Sequence, residues 1–345
     1  RFIKGSGLAI SDKATLSHLK QKINSDQPVE VIHAAELLEK LDEQAFREEI
    51  NHLLQHPSRE VRIFALNKVG DKQITEVSEQ VRKAVEEAGN EAEKAEAIKA
   101  CSQVDVDSLN FLLPYLDHPQ TTVKEGAIVG LMKSGSLEGT VMAGQKLLDL
   151  NHSGNASDRQ MGAAIIGQMG MKNFYQPLLN FLDDPDQQVK ATALESAAKV
   201  QNLNLLPKLI DLAQDHEHSP EATQALGRFN EDAVPTIAGR LNNTAETATA
   251  VKLCSVLGEI GGAEAKQKLF NLLDHEISRV RMAALYALQR TGFMVEKTEE
   301  REHILELIDR QLQTVYWCIK GEVTATGQGN LQHALSLERD LVSKR

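Results

Sequence analysis

Apolar side chains recur at helical spacing along most of this chain, in pairs of short stretches separated by polar turns. In residues 177–182 the leucines fall on one face of a helix, here called helix A. After the polar turn 183–186, a second stretch, 187–200, places Ala193 and Leu194 on one face of a helix B. The pattern therefore predicts an A helix, a turn and a B helix in this part of the chain.

This helical pair is one of several degraded copies of the same element. Four clear copies each carry a polar turn and then a fixed valine, and these valines are Val61, Val123, Val189 and Val280. The gaps between the valines are close to two, two and three periods of about 31 residues, which is the length range of helical-pair repeats. With the weaker copies between them, the sequence predicts about nine helical pairs that pack on their neighbours in one row.

Prolines and glycines mark the boundaries of the predicted helices. Pro114 lies inside a predicted helix, where we expect a bend. The other prolines fall in the turn before helix B or at the start of helix A: Pro28, Pro57, Pro119, Pro177, Pro185, Pro207, Pro220 and Pro235. The glycines that follow helix B are expected to be left-handed C-caps: Gly70, Gly135, Gly170, Gly227, Gly261 and Gly292.

The two ends of the chain depart from the repeat and suggest a division into three parts. We expect residues 1–13 to form a flexible lead-in with a Gly-Ser-Gly segment. Residues 14–293 are expected to form the repeat array. Residues 294–345 are expected to form a helical cap, because a terminal repeat must shield the last apolar face of a stack.

Within the expected cap, the pattern predicts a polar helix from Glu299 to about Trp317. A loop that begins near Gly321 and a final helix from Asn330 are expected to follow. Trp317 is the only tryptophan of the chain, and we expect it to pack under the cap rather than to bind a ligand.

Composition favours closely packed helices and limits the class of partner. Aromatic residues make up 4% of the 345-residue chain, so alanine and leucine carry the predicted core. The net charge of −11 argues against nucleic acid and against an anionic membrane surface, since both attract a cationic face. No apolar run is long enough to span a bilayer, and no secretory signal is recognised, so a cytoplasmic location is expected. Cys101, Cys254 and Cys318 are then expected to be buried thiols in a reducing compartment.

The residue after each fixed valine is basic. These recurring basic residues are the candidate functional group that follows the repeat. The four residues are Arg62, Lys124, Lys190 and Arg281. They could form a cationic stripe for phosphate, or a structural ladder in which each cation bonds its turn or an acidic residue of the next repeat. Because the basic positions follow the core period, we favour the structural ladder.

Histidines also recur, in the turn before helix B, at His56, His118 and His275. The repeat period separates them too far for a shared metal, so helix capping or solvation is expected. The tract 216–218 reads His-x-His, which is by itself a weak metal signal. No nucleophile–base arrangement and no phosphate-binding glycine loop is present. We therefore predict no catalytic residues, no cofactor-binding residues and no metal site.

The repeated element Leu-x-Asp/His-Pro-x-x-x-Val-Arg/Lys-x-x-Ala-Leu resembles the HEAT repeat, in the short form also found in bilin-lyase-like proteins. The resemblance covers nearly all of residues 14–293. It implies an all-α, right-handed α-α superhelix, an ARM-like solenoid whose concave face grips proteins or, in some members, a cofactor or DNA. The resemblance is specific for fold and says little about function.

A narrower resemblance involves both ends of the chain. The lead-in 1–20, the repeats and the irregular tail 316–341 are similar to the cytosolic HEAT regions of bacterial membrane proteins. In those proteins the region follows a nucleotide-carrier-like transporter and can precede a cyclic-nucleotide-binding domain. The resemblance implies that this chain, which begins at Arg1 without a methionine, is a cytosolic module attached to a transmembrane transporter region.

From these observations we predict a non-enzymatic scaffolding module that binds a protein partner on its concave face. The first alternative is a phycobilin-lyase-like tetrapyrrole chaperone or lyase subunit, for which the sequence shows no marked aromatic or cysteine cluster. The second alternative is nucleic-acid binding, as in alkylpurine DNA glycosylases of this fold, which are expected to have a basic, aromatic-bearing groove. The acidic charge of this chain disfavours that alternative.

Overall fold

The structure is a computed structural model, and it describes residues 13–215, 217–244, 246–295 and 298–326. Within these ranges all regular secondary structure is helical, with 19 α-helices joined by short 3₁₀ turns. The predicted all-α class is confirmed. Contacts between Cα atoms divide the chain into two compact units, Arg1–Val200 and Gln201–Arg345.

The first unit contains six consecutive A–B pairs. The A helices are α1 (Lys13–Ile23), α3 (Glu43–Leu54), α5 (Ser78–Glu87), α7 (Ser108–Leu112), α9 (Leu137–Asn151) and α11 (Tyr175–Leu182). The B helices are α2 (Pro28–Leu41), α4 (Arg59–Asp71), α6 (Glu91–Val104), α8 (Thr121–Lys133), α10 (Ala156–Met169) and α12 (Gln187–Val200). For the pair predicted at 177–200, α12 and the end of α11 confirm the predicted boundaries, whereas α11 begins two residues earlier, at Tyr175.

The second unit contains three further pairs and a long last helix. Its A helices are α13 (Leu206–Gln214), α15 (Val234–Asn243) and α17 (Gly262–Asn271). Its B helices are α14 (Ser219–Gly227), α16 (Thr247–Ile260) and α18 (Ser278–Arg290), and α19 spans Thr298–Thr326. The described residues therefore hold nine A–B pairs, as the repeat period predicts.

Within each unit, the B helices pack on one another in sequence and form a close row. In the first unit α4 packs on α6, α6 on α8 and α10 on α12, and in the second unit α14 packs on α16 and α16 on α18. Small residues make this approach possible. A Cβ added to Gly126 would lie 2.8 Å from the Cα of Ala95, and one added to Gly258 would lie 2.9 Å from the Cβ of Ala287. Small residues on the B helices therefore allow a tight row within each unit.

The predicted boundaries at proline are also confirmed. Pro28, Pro207, Pro220 and Pro235 occupy the first two positions of helices, where a missing N–H leaves no hydrogen bond unmade. The α-helix α7 ends at Leu112, and a 3₁₀ helix that contains Pro114, Leu113–Asp117, follows it. This change agrees with the interruption predicted at this proline.

Two of the glycine assignments are wrong. Gly135, Gly170, Gly261 and Gly292 have positive φ, as predicted, but Gly70 and Gly227 lie inside α4 and α14. After α4 the left-handed residue is Gln73, with φ of 50°. Gly70 instead allows the next B helix to approach, since an added Cβ would lie 3.2 Å from the Gln103 Nε2. A Cβ at Gly227 would similarly meet the side chain of Glu259.

The C-terminal helix is longer than its sequence pattern predicts. The predicted end near Trp317 is wrong, because α19 continues through Gly321 to Thr326. One interior glycine costs a helix only about 1 kcal/mol, which a helix of 29 residues tolerates. The expected lead-in, the final helix from Asn330 and the side chains of Trp317 and Cys318 lie outside the described residues. The three-part division at residues 13 and 293 stays a prediction.

Candidate interaction cleft on the B helices

The turn before eight of the nine described B helices is built around one side-chain acceptor, and the exception is the turn before α6, where Ala88 takes this position. His56, His118 and His275 each accept, at Nδ1, the backbone N–H two residues later, at N–N distances of 3.0, 3.2 and 3.1 Å. In five other turns the same position carries a hydroxyl or carboxylate that accepts the equivalent N–H: Ser25, Ser153, Asp184, Asp215 and Thr244. The expectation of helix capping for these histidines agrees with this geometry.

The geometry around His56 fixes its tautomer. Since Nδ1 accepts a hydrogen bond, the proton of the neutral ring lies on Nε2, which is 3.4 Å from the Ser25 carbonyl oxygen of the preceding turn. His56 is only 5% exposed. It therefore holds two consecutive turns together rather than presenting a ligand.

Arg62 is the best-connected member of the predicted ladder. Its Nε and Nη2 donate to both carboxylate oxygens of Glu93 at 2.6 and 2.9 Å. Its Nη1 donates to the carbonyl oxygens of His56 and Pro57 in its own turn. The Glu93 side chain is 7% exposed, so this fork joins two consecutive repeats through a nearly buried carboxylate.

The other three predicted ladder residues differ from Arg62. Arg281 Nη1 donates to the carbonyls of His275 and Glu276 in its own turn, at 2.7 and 2.9 Å. Lys124 and Lys190 make no side-chain hydrogen bond or ion pair within the described residues. A common ladder role for all four residues stays a prediction.

A fifth cation, Arg159, occupies the same helix position and was missed from the sequence. Its Nε and Nη2 donate to the Asp184 carboxylate at 2.7 and 2.9 Å, and its Nη1 donates to the Ser153 carbonyl. The hydrogen bond from Arg159 lowers the pKa of Asp184 below its usual value of 3.8. The fixed valine marks the repeat in the sequence, and in this repeat Asp158 replaces it. The 31-residue spacing from Arg159 to Lys190 was the remaining signal.

A cleft of about 260 Å³ opens on the B row of the first unit. Its walls come from four consecutive B helices, α4, α6, α8 and α10. The lining residues are Leu66, Asn67, Gly70, Asp71, Glu96, Lys99, Ala100, Gln103, Val129, Lys133 and Gln168. Most of these side chains are amides or charged groups, so the cleft is polar.

Four of the lining residues occupy one register position and form what we call the polar track. Asp71, Gln103, Lys133 and Gln168 are each the thirteenth residue of their B helix, in α4, α6, α8 and α10. Each of these four consecutive repeats therefore contributes a hydrogen-bonding side chain from the same position to the cleft. The polar track is not apparent from the sequence because the residue type changes at every repeat, although the spacing stays near the repeat period.

Part of the hydrogen-bonding capacity of the cleft is already used. Lys133 Nζ donates to the Gln168 carbonyl at 3.2 Å, and Gln168 Nε2 donates to Glu125 Oε2 at 3.3 Å. Burial raises the pKa of Glu125, against the opposing effects of Gln168 and the Lys99 charge. Asn67 and Asp71 are exposed and make no side-chain hydrogen bond within the described residues. These two groups can donate to and accept from a ligand in the cleft.

Other types of functional site find little support in the described part of the chain. It contains no group of three or more residues that could hold a metal ion. His218 is 5% exposed, and His216 lies outside the described residues. Burial raises the pKa of both Cys101 and Cys254 to about 12, which keeps these thiols protonated. None of the described helices combines the length and apolar character that a bilayer span requires.

Comparisons with known proteins give distant structural likenesses. No family model and no curated protein sequence matches the chain. An engineered protein of known structure is 18% identical over 94% of this chain and 98% of its own, with a TM-score of 0.34. Human deoxyhypusine hydroxylase in complex with glycerol is 16% identical over 81% of this chain and 98% of its own, with a TM-score of 0.36.

A third similar structure is the karyopherin Kap121p bound to the extreme C-terminus of the protein phosphatase Cdc14p. It is 13% identical over 86% of this chain and 43% of its own, with a TM-score of 0.40. The fold is decided instead by the nine A–B pairs of the described residues and by the B helices that pack on one another within each unit. The fold is a HEAT-type helical repeat.

Proposed function

We propose that this chain is a protein-interaction module that holds an extended peptide segment of its partner in the cleft on α4, α6, α8 and α10. The polar track is the observation that carries this proposal. Asp71, Gln103, Lys133 and Gln168 place one hydrogen-bonding group on each of four consecutive helices. Packed helices lie about 8–10 Å apart, and an extended chain advances about 3.3 Å per residue. Successive track residues would then lie opposite about every third residue of a bound peptide. The four of them would cover a peptide segment of roughly seven to nine residues.

The chemistry of the cleft supports a peptide rather than an apolar ligand. A peptide backbone offers both N–H donors and carbonyl acceptors, and the track combines a carboxylate, two amides and an ammonium group. Leu66, Ala100 and Val129 supply the apolar part of the lining. A tetrapyrrole would require a larger apolar or aromatic pocket, whereas none of the residues that line this cleft is aromatic.

The proposal can be tested by selecting peptides from a random display library on the full chain. Peptides that bind through the track should lose at least about tenfold in affinity with Gln103→Ala or Lys133→Ala, since each variant removes a hydrogen bond to the ligand. The matched control is Lys199→Ala, because Lys199 is the thirteenth residue of α12 but does not line the cleft. Equal affinity for all three variants would place the binding site elsewhere and reject the proposed function.

We further propose, on the sequence resemblance alone, that this module lies on the cytosolic side of a bacterial transporter-type membrane protein. The supporting observation is the similarity of residues 1–20 and 316–341 to such proteins. The proposal predicts that the full-length gene product, detected by an antibody against this region, pellets with membranes. It also predicts that protease reaches this region only after the cytosolic face is exposed. Recovery of the full-length product in the soluble fraction would contradict it.

A further inference from the structure

The outward face of α9 carries an apolar stripe that no described helix covers. Leu137, Val141 and Leu148 are 81%, 62% and 49% exposed. Together with Gly144 they follow a spacing of four, three and four residues, which places them on one side of the helix. We call these four residues the α9 stripe.

The α9 stripe is not a general property of the repeat. Among the described residues, the other A helices carry no exposed large hydrophobic side chain. The outward positions of α3 and α5 are polar, for example Glu48 and His52 in α3 and Glu79 and Lys83 in α5. Single exposed apolar residues are common on protein surfaces, but an apolar outer side over about three turns of one helix indicates an interaction surface.

Packing within the fold does not account for the α9 stripe. A separate face of α9, with Ala143, Leu147 and Leu150, is buried against the neighbouring helices α8 and α10. Gly144 is not required by a close contact, because an added Cβ would meet only the Met132 Sδ at 3.9 Å. The missing side chain instead leaves a notch between Val141 and Leu148, into which the side chains of a second helix can fit.

The charges beside the α9 stripe indicate what charge a helix bound there should carry. Glu138 and Asp149 lie on the same flank of the stripe and make no ion pair within the described residues. The charge of Lys146 is already paired with Asp117 at an N–O distance of 2.6 Å. The flank is therefore acidic, which opposes a second copy of α9 and an anionic membrane surface. It favours a ligand that carries positive charge beside an apolar seam.

We propose that the α9 stripe is a docking site for an amphipathic helix of a protein partner, with basic residues along one side of its apolar seam. Leu137, Val141 and Leu148 supply the apolar contacts, and Glu138 and Asp149 pair with the basic side. This is the helix-docking mode of recognition, and it is separate in place and chemistry from the peptide cleft on the B row.

Two synthetic helical peptides with the same leucine seam test the proposal directly, one flanked by lysines and the other by glutamates. We expect saturable binding of the lysine peptide to the full chain, at least about tenfold tighter than the glutamate peptide and weakened by salt. Val141→Glu should reduce this affinity at least about tenfold, whereas Gln145→Glu, with the same added charge off the stripe, should not weaken it. No saturable binding of either peptide, or equal loss in both variants, would overturn the proposal.

Other occupants give different results in the same variants. Sedimentation velocity that shows a dimer lost in Val141→Glu would assign the α9 stripe to self-association. Binding to phosphatidylcholine vesicles that is lost in Val141→Glu would assign it to a membrane surface. Either result would replace a partner helix as the occupant, and neither would affect the test of the polar track.

Discussion

Leu194 in α12 offers the sharpest test of how the stack is held together. It lies in the Ala-Leu pair of the repeated element and is 1% exposed. Leu148 in α9 belongs to the same compact unit and has the same side chain, but it is 49% exposed. The change of each leucine to alanine therefore compares identical chemistry at two levels of burial.

The expected cost of Leu194→Ala follows from its complete burial. The substitution removes three carbon groups, worth about 0.8 kcal/mol each in transfer from water, or about 2.4 kcal/mol. The cavity left in a rigid helix row raises the total to about 3–5 kcal/mol. Leu148 is about half exposed, so Leu148→Ala loses only about half of that transfer free energy, and it leaves no closed cavity. We therefore expect it to lower the free energy of unfolding by about 1 kcal/mol.

Native-state hydrogen exchange gives the free energy of opening for each helix, which suits a chain with two compact units. Leu194→Ala should lower the free energy of opening of both α10 and α12 by the whole of its expected cost, about 3–5 kcal/mol, since these B helices pack on each other. If Leu194→Ala and Leu148→Ala cost the same, burial in the B row would not be the main source of stability.

Three other predictions concern individual charged groups and thiols. Arg62→Ala should cost about 3–5 kcal/mol in urea denaturation, because it leaves a nearly buried carboxylate unpaired, whereas Lys124→Ala at the same helix position should cost less than about 0.5 kcal/mol. Burial raises the pKa of Glu125 above its usual value of 4.5. The protonated carboxyl therefore stabilises the folded state below pH 4.5, and this stabilisation is lost as the pH rises through the raised pKa. Glu125→Gln should therefore raise the thermal midpoint at pH 7 but not at pH 4. Iodoacetamide at pH 8 should leave Cys101 and Cys254 unmodified in the native protein by mass spectrometry, because their pKa values are about 12.

The elements that could be predicted from sequence are those that one physical requirement fixes in every repeat. Val61 and its equivalents and the pair Ala193-Leu194 are buried in the B row, so their residue types recur and reveal the period. Glycine predicts the ends of helices less reliably, because it has two different roles in this fold. At Gly170 it adopts a left-handed C-cap, whereas at Gly70 it makes room for the next helix. The sequence around the two glycines does not show which requirement applies.

Cations at equivalent positions of the repeat do not make equivalent contacts. The sequence places Arg62 and Lys124 at equivalent positions, yet Arg62 binds Glu93 and two carbonyls while Lys124 makes no such bond within the described residues. A guanidinium can donate in several directions at once, and the ammonium group of lysine is a strongly hydrated point charge. The partner also matters, since a carboxylate must be held at the start of the next B helix for the fork to form.

The candidate cleft could not be predicted from the repeat pattern, because its hydrogen-bonding residues differ in type from one repeat to the next. In the four B helices that line the cleft, the thirteenth residue is exposed or half-buried, so core packing restricts its type less than it restricts the buried positions. It is Asp71, Gln103, Lys133 and Gln168 in four consecutive repeats. Under the proposed function, a peptide that contacts all four positions would select each residue separately, for its own hydrogen bond, and such selection would remove the periodic signal. In a stacked repeat, the columns with a strong period therefore report the core. Binding surfaces should instead be sought in columns that stay polar while their residue type varies.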